Sequence, residues 1–288
     1  MRLIIVSGLS GSGKSVALGT LEDLGYYCID NLPAGLLPDF AKQMLRLDGG
    51  ATSRLSAVAI DARNMVQDIR DFSNVLEKIR QLKVPVEILF LDAEKATLIR
   101  RFSETRRRHP LTNDKTSLAE AIDEEASLLS VISEFADLRI DTTHSNVHQL
   151  RDMLTQRVGT QESESLSILL TSFGFKNGVP VDANFVFDVR CLPNPHWDPQ
   201  LRNQTGLDDD VQLFLSGQED IVAMLTDIKH YLQTWLPRYA SENRSYLTVA
   251  IGCTGGQHRS VFLAEQIAQS LRDEYPSLLI KHRELRNL

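Results

Sequence analysis

The chain has 288 residues, of which 42% are hydrophobic and 24% are charged. Such a composition excludes a disordered chain, and the length suits two domains or one large one. With 31 basic and 38 acidic residues, the net charge of −7 also excludes a globally basic nucleic-acid-binding protein. Its three cysteines, Cys28, Cys191 and Cys253, lie far apart and make no CxxC pair. The sequence therefore predicts a cytoplasmic protein without a disulfide framework.

Apolar runs alternate with helical patterns along the first part of the chain, and none is long enough to span a membrane. The N-terminal run is predicted to be a strand rather than a signal peptide. Alternation of strand and helix predicts a parallel sheet with helices on both faces. The predicted strands cover residues 3–7, 56–60, 86–91 and 138–141, and the predicted helices cover 16–24, 68–82, 96–104, 118–135 and 146–158.

The polar stretch at residues 159–165 has no apolar periodicity, and it is predicted to be a linker. The sequence thus predicts one domain over residues 1–158 and another over 166–288. The second domain is also expected to be α/β. Its predicted strands are 167–172, 185–188 and 247–251, and its predicted helices are 211–239 and 260–274.

Between the first strand and the first helix, the segment from Gly8 to Ser15 reads G-L-S-G-S-G-K-S. This is the phosphate-binding loop pattern, in which glycines let backbone N–H groups turn towards phosphate oxygens. Lys14 would supply a positive charge to the β- and γ-phosphates, and Ser15 would ligate Mg²⁺. The pattern therefore predicts a site for a purine nucleoside triphosphate with Mg²⁺.

Such a site also needs an acidic residue at the end of a neighbouring strand. Asp61 and Asp92 both follow predicted strands, and either one could instead cap a helix. The spacing alone does not choose between them.

An arginine cluster lies before His109 and Pro110, where the helix is expected to break. In a phosphoryl-transfer enzyme, such a cluster forms a lid over the transferred group. A solvated helix end or a surface patch for RNA remain the alternatives. The cluster comprises Arg100, Arg101, Arg106, Arg107 and Arg108.

A second strand–glycine loop–helix pattern runs from Leu247 to Ser260 and is suited to an anion. Cys253 and Arg259 have the C-x5-R spacing of thiol phosphatases, in which the thiolate attacks phosphorus. A phosphate-binding loop without covalent chemistry is the favoured prediction. The polar segments 172–178 and 188–198 are expected to join this loop in one pocket, and a metal site using His196 and His258 is only weakly supported.

These segments together resemble one known family. The matching segments are G-L-S-G-S-G-K-S at 8–15, Y-C-I-D-N-L-P at 27–33, D-A-R-N at 61–64, F-G-F-K-N-G at 173–178, V-F-D-V-R-C-L-P-N-P-H-W at 186–197 and C-T-G-G-Q-H-R-S at 253–260. Spread over nearly the whole chain, they are similar to the RapZ family of bacterial RNase adapters with a phosphate-binding loop. The implied fold is a kinase-like P-loop NTPase domain followed by an α/β domain that resembles a phosphofructokinase subdomain.

The resemblance implies weak hydrolysis of ATP and GTP with Mg²⁺, with Lys14 and Ser15 as catalytic residues. It also favours Asp61 over Asp92, because Asp61 belongs to the segment for the guanine nucleotide. The implied ATP loop consists of Gly8, Leu9, Ser10, Gly11, Ser12, Gly13, Lys14 and Ser15, and the guanine-nucleotide segment consists of Asp61, Ala62, Arg63 and Asn64.

For the second domain, the resemblance implies a sensor of glucosamine-6-phosphate that presents a small regulatory RNA to the endonuclease RNase E, in a homo-oligomer. The implied sugar-phosphate residues are Asp182, Arg190, His196, Thr254, Gly255, His258 and Arg259. RNA-binding members end in a strongly basic tail, whereas this chain offers Lys281, Arg283 and Arg286. We therefore expect weaker RNA binding here.

Two other functions remain open at the level of sequence. One is a small-molecule kinase, in which the arginine cluster is a working lid and Asp30 orients the acceptor. The other is a thiol phosphatase centred on Cys253.

Overall fold

The computed structural model describes residues 2–47, 55–63, 66–105, 107–112, 116–159, 166–242 and 244–285. The chain divides into two compact units, Met1–Gly159 and Thr160–Leu288. Each unit is built on its own sheet, and every strand pairing in both sheets is parallel.

The first unit contains a five-stranded sheet in the order β2-β3-β1-β4-β5. The central strand β1 is buried along nearly its whole length, because both of its edges are paired and apolar side chains fill it. The strands are β1 Arg2–Gly8, β2 Tyr27–Ile29, β3 Leu55–Ala59, β4 Val86–Asp92 and β5 Leu138–Asp141. The carboxyl ends of β1, β3 and β4 meet at one edge of this sheet, where ligands bind in open parallel sheets.

Helices connect these strands, as parallel pairing requires. The helices are α1 Lys14–Asp23, α2 Leu37–Leu47, α3 Val66–Arg70, α4 Phe72–Gln81, α5 Lys95–Thr105, α6 Leu118–Glu134 and α7 Val147–Gly159. A capping box starts α6: the Ser117 side chain accepts from the Glu120 N–H, and the Glu120 side chain accepts from the Ser117 N–H.

The second unit contains a four-stranded sheet in the order β7-β8-β6-β9. Strands β6 and β8 are buried along their full lengths, and they form the centre of the apolar core. The elements are β6 Ser167–Gly174, β7 Phe185–Asp188, α8 Asp209–Ser216, α9 Glu219–Ser241, β8 Tyr246–Cys253, α10 Arg259–Leu271 and β9 Leu279–His282.

The prediction of one continuous helix was wrong in two places, because the structure interrupts each of these long helices. The pattern at 68–82 is divided between α3 and α4 at Asp71, and the pattern at 211–239 is divided at Gly217 and Gln218. Gln218 has extended backbone angles, so it starts a new helix rather than continuing the old one. Apolar periodicity persists through such a break because the helices on both sides pack on the same core. Strands β2 and β9 and helix α2 were missed.

None of the helices in the described ranges is both long and apolar enough to cross a membrane.

Candidate functional site

The first glycine loop joins β1 to α1 at the carboxyl edge of the first sheet. Gly8 has φ 140°, and a Cβ there would lie 2.1 Å from the carbonyl oxygen of Leu91. Gly13 has φ 112°, and a Cβ there would lie 2.7 Å from Leu150. Because α1 begins at Lys14, the N–H groups of its first turn have no acceptor inside the helix. The loop therefore presents backbone donors and a helix N-terminus to an anion.

The Lys14 ammonium lies within this loop and donates a 2.6 Å hydrogen bond to the carbonyl oxygen of Gly8. Burial lowers the pKa of Lys14, while the carboxylates of Glu125 and Asp61 act in the opposite direction. The carboxylates thus partly offset the cost of burying the ammonium at the base of the loop, where a phosphate would meet it.

Asp61 follows β3 and lies on the wall of the cavity above the loop. Both of its carboxylate oxygens accept hydrogen bonds from Arg63, with an Nη2–Oδ2 distance of 2.7 Å. Burial raises the pKa of Asp61, but the hydrogen bonds from Arg63 and the charge of Lys14 outweigh it, so the net pKa is lowered. Asp61 is therefore an anion at neutral pH. Asn64 lies outside the described residues.

Asp92, the other candidate carboxylate, ends β4 beside Asp141 in the strand register. Its Oδ1 accepts a 2.8 Å hydrogen bond from the N–H of Ala93. Burial raises the pKa of Asp92, and the neighbouring charge of Asp141 adds to this. In the structure, the Asp92 carboxylate thus binds the backbone N–H of its neighbour in the chain.

The arginine cluster is divided by the end of α5. Arg101 lies on α5 and donates to the carbonyl oxygen of Gly11 at 3.0 Å and to that of Thr142 at 2.6 Å. Arg107 and Arg108 follow the helix and line the cavity, together with Arg101. Arg100 lies on the same helix, and Arg106 lies outside the described residues.

A cavity of about 870 Å³ lies over the loop. Its volume falls in the range of roughly 300–1,000 Å³ that is usual for small-molecule sites. The loop and Asp61 form one part of the wall, and the arginines form another part. Cations and backbone donors are therefore among the groups that line the space, as a polyphosphate requires.

Three residues that support the loop were missed by the sequence analysis. Glu125 on α6 accepts hydrogen bonds from Ser10, and His109 contacts the same carboxylate. The Thr142 hydroxyl donates to the carbonyl oxygen of Ser12 at 2.9 Å. All three lie far from the loop in sequence, so no local pattern indicated them.

The second glycine loop joins β8 to α10 and packs tightly against the end of β6. A Cβ on Gly174 would lie 2.7 Å from the carbonyl carbon of Gly255, and one on Gly256 would lie 2.5 Å from the Gly174 nitrogen. Gly256 also has φ 72°. Thr254 and Gln257 are exposed, so part of the loop faces solvent.

Cys253 lies beneath this loop and is 3% exposed. Its Sγ accepts a 3.2 Å hydrogen bond from the Gly256 N–H and lies 3.2 Å from the Ser260 hydroxyl oxygen. Burial raises the pKa of Cys253, but hydrogen bonding to Ser260 and Gly256 and the charge of Arg259 give a net lowering. The thiol stabilises the loop from inside.

Arg259 begins α10 and is 3% exposed. Its Nη1 donates to the carbonyl oxygens of Arg190 and Leu192, each at 2.8 Å, and its Nη2 lies 3.4 Å from the Thr254 hydroxyl. The buried Nε of Arg259 and the buried Nε2 of His258 have no hydrogen-bond partner in the described structure. Two buried polar nitrogens therefore remain available at the loop.

The loop that follows β7 brings further predicted site residues close to the second glycine loop. Arg190 forms a two-point ion pair with Asp188 and stacks on Phe175, 3.9 Å from the ring centroid. The His196 ring lies 6.4 Å from the His258 ring. Asp182 lies in a turn before β7.

Arg283, from the predicted basic tail, packs against the end of β6, which lies beside the second loop. Arg283 donates to the carbonyl oxygens of Gly174 and Gly178, at 3.1 and 2.7 Å. Its side chain is 12% exposed and pairs with Glu284. Lys281 lies on β9, and Arg286 lies outside the described residues.

Within the ranges that the structure describes, no group of three or more His, Cys, Asp or Glu side chains is arranged to hold a metal ion. A Mg²⁺ ion at the first loop would need only Ser15, a nearby carboxylate, phosphate oxygens and water.

The first sheet, with its loop between the central strand and α1, defines a P-loop NTPase unit, and the chain continues into a second parallel α/β unit. A model of the RapZ-like N-terminal domain matches residues 1–162, and one of the RapZ C-terminal domain matches residues 166–286. The chain belongs to the RapZ family.

Curated relatives extend over the same length. Proteins named "Nucleotide-binding protein" from Stutzerimonas stutzeri (strain A1501) and Pseudomonas fluorescens (strain Pf0-1) are each 54% identical over 285 residues, 99% of this chain and 100% of theirs. Among solved structures, a sugar kinase from Janibacter sp. HTCC2649 is 18% identical over 56% of this chain and 93% of its own, with a TM-score of 0.35.

Proposed function

We propose that the first unit binds ATP and GTP with Mg²⁺ and hydrolyses them slowly. The supporting observation is the cavity of about 870 Å³ lined by Lys14, Ser15 and four arginines. Two relatives that are 54% identical to this chain are also named as nucleotide-binding proteins. Lys14 and the loop N–H groups hold the β- and γ-phosphates, and Ser15 ligates the ion.

Asp61 and Arg63 line the same cavity as the loop. We therefore assign ATP and GTP to this one cavity, with Asp61 holding the ion through water. Bound Mg²⁺ neutralises charge on the phosphates.

Equilibrium binding of ATP and GTP to the wild type and to Lys14→Ala tests this function. We expect the variant to lose at least about tenfold in affinity for both nucleotides, since a charge-assisted phosphate contact is removed. Lys42→Ala is the matched control, because Lys42 is exposed and pairs with Asp39 on α2. Undiminished affinity in Lys14→Ala would refute the assignment.

In the second unit, the proposed ligand is an amino-sugar phosphate such as glucosamine-6-phosphate. The unpartnered buried nitrogens of His258 and Arg259 support an anion there, since buried donors without partners are costly. Thr254, Gly255, Arg190 and His196 complete the proposed site. Titration with glucosamine-6-phosphate and with glucosamine should show that binding requires the phosphate.

The proposed physiological role is that of an adapter, which presents a small regulatory RNA to an RNase E-type endonuclease and acts as a homo-oligomer. Filter binding of a structured small RNA should weaken steeply with salt and weaken further in Lys281→Ala. Binding that is flat across salt would remove RNA from the role. Arg283→Ala is unsuitable as a probe, because its loss would also free the carbonyls of Gly174 and Gly178.

A small-molecule kinase is the second candidate, favoured by the arginines that face the loop across the cavity. Asp30 lies 4.0 Å from Arg63 and would orient the acceptor. Incubation with γ-labelled ATP and a pool of small metabolites decides this, because a kinase transfers the label to a metabolite and a slow hydrolase releases it as phosphate.

A further inference from the structure

A buried acid–histidine pair lies behind the first glycine loop. Glu125 on α6 and His109 in the 107–112 segment have side chains that are 0% exposed, and their Oε2 and Nε2 atoms are 3.0 Å apart. Burial of two such groups is costly unless each is fully hydrogen-bonded. The fold therefore maintains this pair despite the free-energy cost of removing both groups from water.

Glu125 binds the loop itself. Its two oxygens accept from both donors of Ser10, the backbone N–H at 2.8 Å and the hydroxyl at 2.7 Å. Burial raises the pKa of Glu125, but hydrogen bonding to His109 and Ser10 and the charge of Lys14 lower it overall. The carboxylate therefore fixes the backbone at Ser10 and turns that N–H away from the cavity.

His109 connects the same carboxylate to the arginine segment. The Leu111 N–H donates to its Nδ1 at 3.2 Å, so in the neutral ring the proton is on Nε2 and points to Glu125. The Thr112 hydroxyl and N–H both donate to the His109 carbonyl oxygen. The turn at 109–112 is thus folded around the histidine, and Arg107 and Arg108 directly precede it on the cavity wall.

We propose that Glu125 and His109 are positioning residues that hold the phosphate-binding loop and the Arg107–Arg108 segment in one fixed arrangement. The loop holds the β- and γ-phosphates, and the arginines add contacts to the terminal phosphate that only a nucleoside triphosphate carries. Preference for ATP over ADP then depends on His109, whereas the affinity for both depends on Glu125. This inference rests on the proposed nucleotide binding.

The test is the dissociation constant of ATP and of ADP for a set of variants. His109→Leu fills the buried space without a donor, and we expect it to lose about tenfold in ATP affinity while ADP affinity changes little. His109→Gln keeps one donor towards Glu125 and should retain most of the ATP preference. Replacing Arg107 and Arg108 together by Ala should reproduce the His109→Leu loss, and adding His109→Leu should cost nothing more.

Glu125→Gln should weaken ATP and ADP alike by about tenfold, since the loop loses an ionised acceptor. Glu124→Gln is the matched control, because Glu124 is the exposed neighbour on the same helix and should change neither constant.

Equal losses for ATP and ADP in His109→Leu, or losses that add to those of the arginine variant, would overturn the proposal. Should His109→Leu fail to fold, Glu125→Gln still tests the proposal. If Glu125→Gln binds ATP and ADP as tightly as the wild type does, the proposal is overturned. Failure of the wild type to bind either nucleotide would refute the proposed function instead.

Discussion

The buried guanidinium of Arg259 donates a 2.8 Å hydrogen bond to the backbone carbonyl oxygen of Leu192. The same nitrogen donates to the carbonyl oxygen of Arg190, also at 2.8 Å. Arg259 therefore joins the loop after β7 to the second glycine loop, and the charge that is proposed to attract a phosphate also stabilises the fold.

Arg259→Lys should therefore lower the free energy of unfolding by about 2 kcal/mol, because a lysine cannot reproduce the fork of donors. Urea denaturation measures this change, and glucosamine-6-phosphate affinity should fall in parallel. Arg272→Lys is the control, since Arg272 is exposed at the end of α10. Equal midpoints for the two variants would contradict the role of the carbonyl contacts.

Gly8→Ala should disrupt the first loop. A Cβ at Gly8 would lie 2.1 Å from the Leu91 carbonyl oxygen, on a backbone with φ 140°. We expect a loss of about 3 kcal/mol or more in the free energy of unfolding, from steric overlap and backbone strain together.

Gly19→Ala is the matched control, because Gly19 lies within α1 and a Cβ there meets nothing within 4 Å. It should instead stabilise the protein by roughly 0.5–1 kcal/mol. Thermal unfolding distinguishes the two results, and a destabilising effect at Gly19 would show that the space is not free.

Cys28 should be slow to react. Burial raises the pKa of its thiol to about 11, with the charge of Glu22 adding to the shift. At about pH 9, iodoacetamide should label the exposed Cys191 well before Cys28, because the thiolate is the reactive form. Mass spectrometry of labelled peptides measures both rates, and similar rates would contradict the prediction.

The same shift predicts a pH dependence of stability. The unfolded thiol, with its ordinary pKa of 9.0, releases its proton as the pH rises from about 9, whereas the folded thiol keeps it until about 11. Stability should therefore fall across that interval, and Cys28→Ser should reduce the fall. Urea midpoints of both proteins at several pH values measure the difference.

Cys253 should not be a phosphatase nucleophile. Its Sγ is buried beneath the loop, and the Nη1 of Arg259, which would clamp a phosphate, already donates to two carbonyl oxygens. We expect wild type and Cys253→Ser to hydrolyse p-nitrophenyl phosphate at the same background rate. A burst of nitrophenolate that is lost in Cys253→Ser would contradict this.

Local patterns predicted the elements around both glycine loops, because strand, loop and helix follow one another in sequence. Local patterns failed where contacts between residues distant in sequence determine the structure. The strand β2, with three residues, exists because β3 offers it a paired edge. Glu125 resembled any carboxylate on a helix, and only the approach of α6 to Ser10 gives it a partner in the loop. The spacing did not choose between Asp61 and Asp92 as the carboxylate of a metal site. In the structure, Asp61 lines the cavity above the first loop and Asp92 does not.

Glu284 contacts both the end of β6 and the second loop: its carboxylate accepts from the Gly174 N–H, and its Cγ occupies the space where a Cβ on Gly256 would be. It directly follows Arg283, just beyond β9. Proteolytic nicking between α10 and β9 would thus do more than shorten the chain. Dissociation of the released C-terminal piece would uncover an edge of β6 and remove the support behind the loop, so the proposed sugar-phosphate site and the last strand should be lost together.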